Sequence, residues 1–125
     1  GRFGEAVALR LVALGHEVIG IDERAEIVQK LADEMPHVVQ ADSTDTDALR
    51  ALGVNEVNYA VVAIGASLEG SVLSVLALQE LGIRDIWAKA STRQHGLILT
   101  RLGVSKVVFP EADMGRALAE QLCGA

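Results

Sequence analysis

The fold of this 125-residue chain is constrained most by a regular alternation of short apolar runs with segments of helical periodicity. The runs are rich in Val and Ile and lie at residues 17–21, 38–41, 59–64, 85–90 and 106–109. Short strands separated by helical segments are typical of parallel sheets that helices bury on both faces. The sequence therefore predicts an α/β protein with a Rossmann-like, doubly wound parallel sheet.

Six helices are predicted between and after these strands, at residues 5–14, 25–35, 45–52, 68–81, 92–102 and 111–123. Three ends have local signals: Gly15 suits a C-cap, Pro36 stops the second helix, and Thr44 has capping-box spacing to Asp47. These signals indicate that each crossover between strands contains one helix.

The fourth helix is apolar on more than one face. Its two predicted stripes are Leu68, Val72, Val75 and Leu76, and then Leu73, Ala77 and Leu81. One stripe is enough to cover a sheet, so the surplus predicts a surface for a partner.

The composition fits one domain spanning residues 1–125. Half of the residues are apolar but only 3% are aromatic, so aliphatic side chains must build the core. The net charge of -6 argues against a nucleic-acid surface, which needs clustered basic residues. The single cysteine, Cys123, cannot form an internal disulfide; it favours a reducing compartment and is more typical of a structural thiol than of a catalytic one. No apolar run reaches the ~20 residues of a membrane span.

The chain begins with the glycine turn Gly1-Arg2-Phe3-Gly4, followed by a helix, a strand and Asp22. This order matches the later part of a dinucleotide-binding fingerprint, G-x-G-x-x-G, without its first glycine. Gly1 would let the backbone approach a pyrophosphate, and Gly4 would let helix and strand pack closely. Asp22 follows at the roughly 20-residue spacing that places a carboxylate on a ribose diol, and it would repel a 2′-phosphate.

In the doubly wound order 3-2-1-4-5-6, the strand that precedes this glycine turn lies at the centre of the sheet. We therefore expect the given sequence to be a fragment that lacks its first strand and is not stable alone, because two strand edges would stay unpaired. The alternative is that a different strand fills the central place.

A doubly wound sheet binds ligands beyond the carboxyl ends of its strands. The N-terminus of the first helix offers free N–H groups to a phosphate, and Arg2 could add a charged contact. Asp42 could accept a hydrogen bond from the exocyclic amine of adenine. The stretch 63–66, which includes Ile64 and Gly65, lets the backbone approach a ligand, and Lys89 at a strand end calls for an anion.

Several of these residues also have structural interpretations. Arg24 fits a solvated helix residue better than a side chain that packs on adenine, and Glu111 suits the first turn of any helix because of the helix dipole. His16, His37 and His95 lack metal-ligand spacing and are expected at the surface or in turns. The serines at 67, 71 and 74 lack the context of a nucleophile elbow.

An enzyme of this class needs a second region that carries substrate and an acid or base, and the chain has no room for one. The residues thus favour a ligand-gated binding module without catalytic turnover. The alternative is the cofactor domain of a NAD-dependent oxidoreductase.

The chain resembles a known family, the N-terminal RCK or TrkA-N domain of the regulatory subunits of Ktr and Trk potassium uptake systems. The resemblance is strongest to the single-repeat Ktr regulators. The matching stretches are GRFG at 1–4, GHEV at 15–18, ID at 21–22, VVAIGA at 61–66, IWAKA at 86–90 and FPEADMG at 109–115. They cover nearly the whole chain in the family's order, and the last one is far more specific than the glycine turn.

The resemblance implies binding of ATP and ADP with opposite effects on a channel, and of NAD or NADH in some members. It implies nucleotide contacts from Gly1, Gly4 and Asp22, and a contact of Arg2 to the terminal phosphate of ATP from a neighbouring subunit. It places Lys89 near the phosphates, and it makes Glu111 a ligand of a cation, Mg²⁺, Ca²⁺ or Na⁺, at a dimer interface.

The resemblance also implies an assembly of homodimers into an octameric ring beneath a membrane K⁺ channel, with the fourth and fifth helices in subunit contacts. We accordingly expect a cytoplasmic protein that is held at the inner face of the membrane by its channel subunit. The C-terminal RCK lobe of the family does not follow residue 125 in the given sequence.

Overall fold

A computed structural model describes residues 2–65 and 67–124. The helices are α1 (Arg2–Ala13), α2 (Ala25–Leu31), α3 (Thr46–Ala51), α4 (Leu68–Glu80), α5 (Arg93–Leu102) and α6 (Pro110–Leu122), with a short 3₁₀ turn at Val54–Glu56. The strands are β1 (Gly20–Asp22), β2 (Val38–Gln40), β3 (Tyr59–Val62), β4 (Asp85–Lys89) and β5 (Lys106–Val108). The predicted α/β alternation is confirmed.

The strands form two separate parallel sheets. β1 pairs with β2, with Gly20 opposite Val38, and β4 lies between β3 and β5 in the second sheet. A cavity of about 630 Å³ is lined by residues of β1, β3 and α1. Among residues 2–65 and 67–124 no strand joins the two sheets. The structure therefore does not show a different strand in the central place of the sheet, which was the alternative to a missing first strand.

The edge of β1 at this cavity has free hydrogen-bonding groups. The N–H of Gly20 donates to the carbonyl of His37, and the carbonyl of Asp22 accepts from the N–H of Ala41, so both residues bond toward β2. In a parallel ladder the residue between them directs its N–H and C=O to the other side. Ile21 therefore presents its backbone groups away from β2.

Several predicted boundaries are wrong by a few residues. α1 begins at Arg2 rather than at Glu5, so Arg2, Phe3 and Gly4 lie in its first turns instead of in a preceding loop. α2 ends at Leu31, four residues before the predicted end, and a turn follows in which the N–H groups of Glu34 and Met35 both donate to the carbonyl of Leu31. The turn that follows places Met35, only 2% exposed, in a buried position.

The start of α3 also differs from the prediction. Its N-cap is Asp45, whose carboxylate accepts hydrogen bonds from the N–H groups of Asp47 and Ala48 at 3.0 and 3.2 Å. Thr44 does not form the predicted capping box; its N–H and hydroxyl donate instead to Asp42.

The hydrophobic core lies mainly around β3, β4 and β5. Its most buried side chains, each at most 1% exposed, are Leu49, Val75, Ile86, Ala88 and Leu99. The region from α1 to β2 contributes two buried hydrophobic residues, Leu31 and Met35, and no described residue of α1 is buried. The two sheets are therefore packed to very different extents.

Helix α4 buries a different set of side chains from the one predicted. Its buried residues are Ser71, Ser74, Val75, Ala77 and Leu78. Leu68, Leu73 and Leu76 are between 40% and 50% exposed, so apolar surface is left over as predicted, although the two stripes were divided incorrectly.

Candidate nucleotide-binding site

The predicted site residues lie at the carboxyl ends of the strands. Asp22 and Lys89 are the last residues of β1 and β4, and Gly65 follows β3 by three positions. Asp42 follows β2, and Glu111 lies in the first turn of α6 directly after β5. Gly1, the remaining glycine of the turn, lies outside the described residues, as does Ala66.

Gly4 brings α1 close to the segment after β3. A methyl group added at Gly4 would lie 3.1 Å from Cβ of Ala63, closer than most side chains tolerate. A glycine at this place thus allows the helix to approach the neighbouring segment, which is the packing role expected of the last fingerprint glycine. The partly buried Ile64 continues this segment toward Gly65.

Gly65 lies against the side chain of Lys89. A methyl group added at Gly65 would approach Nζ of Lys89 to 2.8 Å, so the ammonium group lies directly beside the Gly65 backbone and would have to move for any larger residue. The Ser91 hydroxyl donates to the carbonyl of Gly65 at 3.3 Å, which ties the segments after β3 and β4 together. Lys89 is in none of the salt bridges that the described residues form. Its cationic group is therefore available to an anion beside an exposed backbone.

Asp22 is engaged by Arg24. The guanidinium donates to both carboxylate oxygens, through Nε at 3.1 Å and through one terminal nitrogen at 3.2 Å, and the backbone N–H of Arg24 donates at 2.9 Å. Partial burial by itself raises the pKa of Asp22, but the hydrogen bonds and charge of Arg24 outweigh it and lower the pKa below its ordinary value. Arg24 is the N-cap residue of α2, and its half-exposed side chain makes an ion pair with Asp22 that was not predicted.

Asp42 lies in a tight turn with Thr44. Its Oδ1 accepts from the Thr44 hydroxyl at 2.6 Å and from the Thr44 N–H at 2.9 Å. These hydrogen bonds lower the pKa of Asp42, so it is a carboxylate at neutral pH. A charged acceptor that its own turn holds in place is compatible with an amine donor.

The remaining candidates are more exposed. Arg2 is exposed at the start of α1, Phe3 is half-buried, and Glu111 is exposed on α6. In the described parts of the chain no three His, Cys, Asp or Glu side chains come together as a metal site. Glu111 is therefore not part of such a cluster, although it shares the first turn of α6 with Asp113.

His95 was predicted at the surface and is instead buried, at 4% exposure, while His16 and His37 are exposed as expected. The sequence carried a signal for this burial, because His95 precedes the fully buried Leu99 by four residues and therefore shares its helix face. Its ring lies between Ser71 of α4 and the backbone of Ser91.

These groups fit a nucleotide in kind. A helix N-terminus and Lys89 suit phosphates, a glycine opening at Gly65 suits close backbone approach, and Asp22 suits ribose hydroxyls. To reach the ribose, Asp22 must share or exchange the hydrogen bonds that it now receives from Arg24.

Comparison with known sequences places the chain beside potassium uptake proteins. The family model described as the TrkA-N domain matches residues 1–110. Ktr system potassium uptake protein A of Bacillus subtilis is 38% identical over 122 residues, which are 98% of this chain and 55% of that protein. Protein C of the same system and organism is 35% identical over the same shares. The chain thus spans about half the length of the curated relatives it matches.

Solved structures show the same fold. The TrkA-N domain of the inner membrane protein YbaL from Escherichia coli superposes with a TM-score of 0.85 at 18% identity, over 98% of this chain and 90% of that domain. The GsuK channel bound to NAD matches with a TM-score of 0.71 at 20% identity, over 82% of this chain and 19% of that one. At these identities the likeness concerns the fold alone. None of the helices in the described parts of the chain has the length and hydrophobicity of a membrane span.

Proposed function

Because this chain belongs to the TrkA-N domain family, we propose that it is the nucleotide-binding regulatory domain of a bacterial potassium uptake system. The observation that carries the proposal is the Gly65–Lys89 opening, where an exposed backbone and a cationic side chain meet beyond the strand ends. The sequence relationship to two Ktr system potassium uptake proteins supports the transport context.

The ligands that we propose are ATP and ADP, with NAD or NADH as the other dinucleotide candidates. Phosphates would lie between the N-terminus of α1 and Lys89, the ribose at Asp22, and adenine near Arg24 and Asp42. Arg2 would contact the terminal phosphate of ATP bound to a neighbouring subunit. NAD is supported by the fold-level match to the NAD-bound GsuK channel.

The regulation that we propose is a change of conformation driven by nucleotide identity, without catalytic turnover. A nucleotide can shift such an equilibrium only by the difference between its affinities for the two states. The alternative class, the cofactor domain of a NAD-dependent oxidoreductase, would require hydride transfer to a substrate that a further region must bind.

The assembly that we propose is a ring of eight domains built from homodimers, located in the cytoplasm and attached to a membrane K⁺ channel subunit. Exposed leucines on α4, with Leu97 and Ile98 on α5, provide apolar surface for subunit contacts. A cation beside the nucleotide, Mg²⁺, Ca²⁺ or Na⁺, would bind at Glu111 where two subunits meet.

We also propose that the two sheets are joined by one more parallel strand, which would make residues 1–125 the larger part of a complete domain. The support is the cavity between β1 and β3 and the free backbone groups of Ile21 that no described strand satisfies. A strand there would give the sheet order 3-2-1-4-5-6. Mass spectrometry after hydrogen exchange tests this: the amide of Ile21 should be protected in the native protein when such a strand is bound and exposed when it is not.

Isothermal titration calorimetry with ATP, ADP and NADH tests the nucleotide proposal. We expect ATP and ADP to bind with micromolar dissociation constants and no hydride chemistry to follow. NADH binding without binding of either adenine nucleotide would favour the oxidoreductase class instead. An absence of binding to all three would contradict both.

Arg2→Ala should weaken ATP binding more than ADP binding, because only ATP carries the terminal phosphate. Arg10→Ala, at the other end of the same helix, is the matched control and should leave both unchanged. Equal losses for ATP and ADP in Arg2→Ala would show that Arg2 does not contact the terminal phosphate.

For Glu111, the Ala variant should reduce the effect of divalent cations on ATP affinity, whereas Glu120→Ala on the same helix should not.

A further inference from the structure

We propose that His95 is a positioning residue of the nucleotide site: its hydrogen bond to the backbone of Ser91 holds the segment after β4 in place and thereby positions Lys89 beside Gly65. This inference rests on the proposed function of the site.

The imidazole of His95 makes hydrogen bonds to two different elements. Nδ1 accepts from the backbone N–H of Ser91 at 3.2 Å, and Nε2 lies 2.9 Å from the hydroxyl of Ser71 on α4. Because Nδ1 acts as an acceptor, the proton of the neutral ring is on Nε2, and Nε2 donates to Ser71. His95 is 4% exposed and Ser71 is fully buried, so water cannot replace either bond.

Ser91 connects this hydrogen bond to the proposed ligand edge. It lies two residues after Lys89, and its hydroxyl donates to the carbonyl of Gly65. Ser91 therefore ties the end of β4, which carries Lys89, to the backbone of Gly65, beside which Nζ of Lys89 lies. A small displacement of this segment would close or widen the opening for a phosphate.

The next residue extends the same support to the last strand. Gly96 lies against the ring of Phe109, and a methyl group added there would overlap Cζ of that ring. Phe109 is the N-cap residue of α6, two positions before Glu111. The first turn of α5 thus contacts α4 and the segments that follow β4 and β5.

A purely structural residue at position 95 would not need this chemistry. An aliphatic side chain would fill the space in the core without the penalty of burying a polar ring, so packing alone does not account for histidine. What histidine supplies is one acceptor and one donor, held rigidly on opposite sides of a ring and directed at two elements.

The two bonds can be separated by substitution. The amide of asparagine places an acceptor where Nδ1 lies, whereas the longer glutamine places a donor where Nε2 lies. His95→Asn should keep the bond to Ser91 and lose the one to Ser71, and His95→Gln should do the reverse. Both variants lose one hydrogen bond of the same kind, so they should lose comparable stability against urea.

Nucleotide affinity should distinguish these variants. Calorimetry with ADP should show that His95→Gln weakens binding about fivefold or more, the scale of one lost hydrogen bond, while His95→Asn stays within about twofold of the native protein. Equal weakening in both variants, or no weakening in either, would overturn the positioning role. Native protein that binds no nucleotide would instead contradict the proposed function, so the two failures are distinguishable.

A second measurement needs no variant. In the native protein, the Ser91 amide should exchange with solvent by NMR at least about tenfold more slowly than the amide of the neighbouring exposed Arg93, because only Ser91 donates to a buried ring. Equal exchange rates would overturn the proposal.

Gln79→Met is the matched stability control for the His95 variants, because Gln79 links the far ends of the same two helices through the carbonyl of Leu102 at 2.7 Å. It should lower stability and leave ADP affinity unchanged.

Discussion

Both sheets of this protein are built from parallel strands, but the side chains around them are buried to very different extents. Around β3, β4 and β5 the side chains of Ile86, Val75 and Leu99 are almost completely buried. Around β1 and β2 the buried hydrophobic side chains among the described residues are Leu31 and Met35, and a cavity lies beside β1. Burial, more than strand pairing, decides where stability resides, because the hydrophobic contribution scales with the apolar area removed from water.

Matched isoleucines should give the largest difference between the sheets. Ile86→Ala on β4 should lower the free energy of unfolding by about 3 kcal/mol, since it leaves a cavity in a packed core. Ile21→Ala on β1, where the side chain is only partly buried, should lower it by roughly 1 kcal/mol. Urea denaturation measures both. Similar losses would mean that β1 is packed as tightly in solution as β4, as it would be with a strand in the cavity.

A pair of glycines sharpens the comparison at the next level of effect. Gly96→Ala must displace the Phe109 ring, and it should lower the free energy of unfolding by about 2 kcal/mol. Gly4→Ala meets Ala63 at 3.1 Å, a smaller conflict, and gains helix propensity of about 1 kcal/mol, so its net effect should be near zero. Thermal unfolding of the two variants measures both losses of stability. A larger loss for Gly4→Ala than for Gly96→Ala would contradict the conclusion that the region around β3, β4 and β5 is the more tightly packed one.

The β3–β5 half should also respond to mild acid through His95. Burial, and then the positive charge of Lys89, lower the pKa of His95 below its ordinary 6.5. The helices packed there also carry Glu69 and Glu80 on α4, and Arg93 and Arg101 on α5. Below pH 6.5 the unfolded chain binds the proton and the folded one does not, so stability falls as the pH falls from 6.5 to the folded pKa, and then levels off. Urea midpoints measured across this window should lose that slope in His95→Asn.

The stability of the β1–β2 half should change only in stronger acid, and this should be the smallest of the effects. The pKa of Asp22 lies below its ordinary 3.8, because the bonds from Arg24 outweigh partial burial. Stability from this pair is present above pH 3.8 and is lost as the pH falls through the folded pKa. Arg24→Ala should remove this acid step and change stability at neutral pH by less than about 1 kcal/mol, as expected for an exposed pair. A step that persists in Arg24→Ala would show that another carboxylate causes it.

The candidate site was predictable in its positions and less so in its contacts. Asp22, Gly65 and Lys89 could be placed at strand ends from the alternation of elements alone, because all parallel strands end at the same edge. The pairing of Asp22 with Arg24 was missed, since a residue two positions away can reach the carboxylate only if the turn before α2 directs it back. Likewise the Thr44 side chain bonds to Asp42, and Asp45 instead of Thr44 caps α3. Local spacing allows either residue to be the cap, so it does not decide between them.

The sequence by itself determined the α/β class, the order of the elements and the family, because apolar periodicity and the spacing of glycines and acids are local properties of the chain. Only the tertiary structure decided how unequal the two sheets are, which face of α4 is buried, and that His95 lies inside. Those outcomes depend on which elements pack against each other, and burial of one polar ring is acceptable only where Ser71 and Ser91 both meet it.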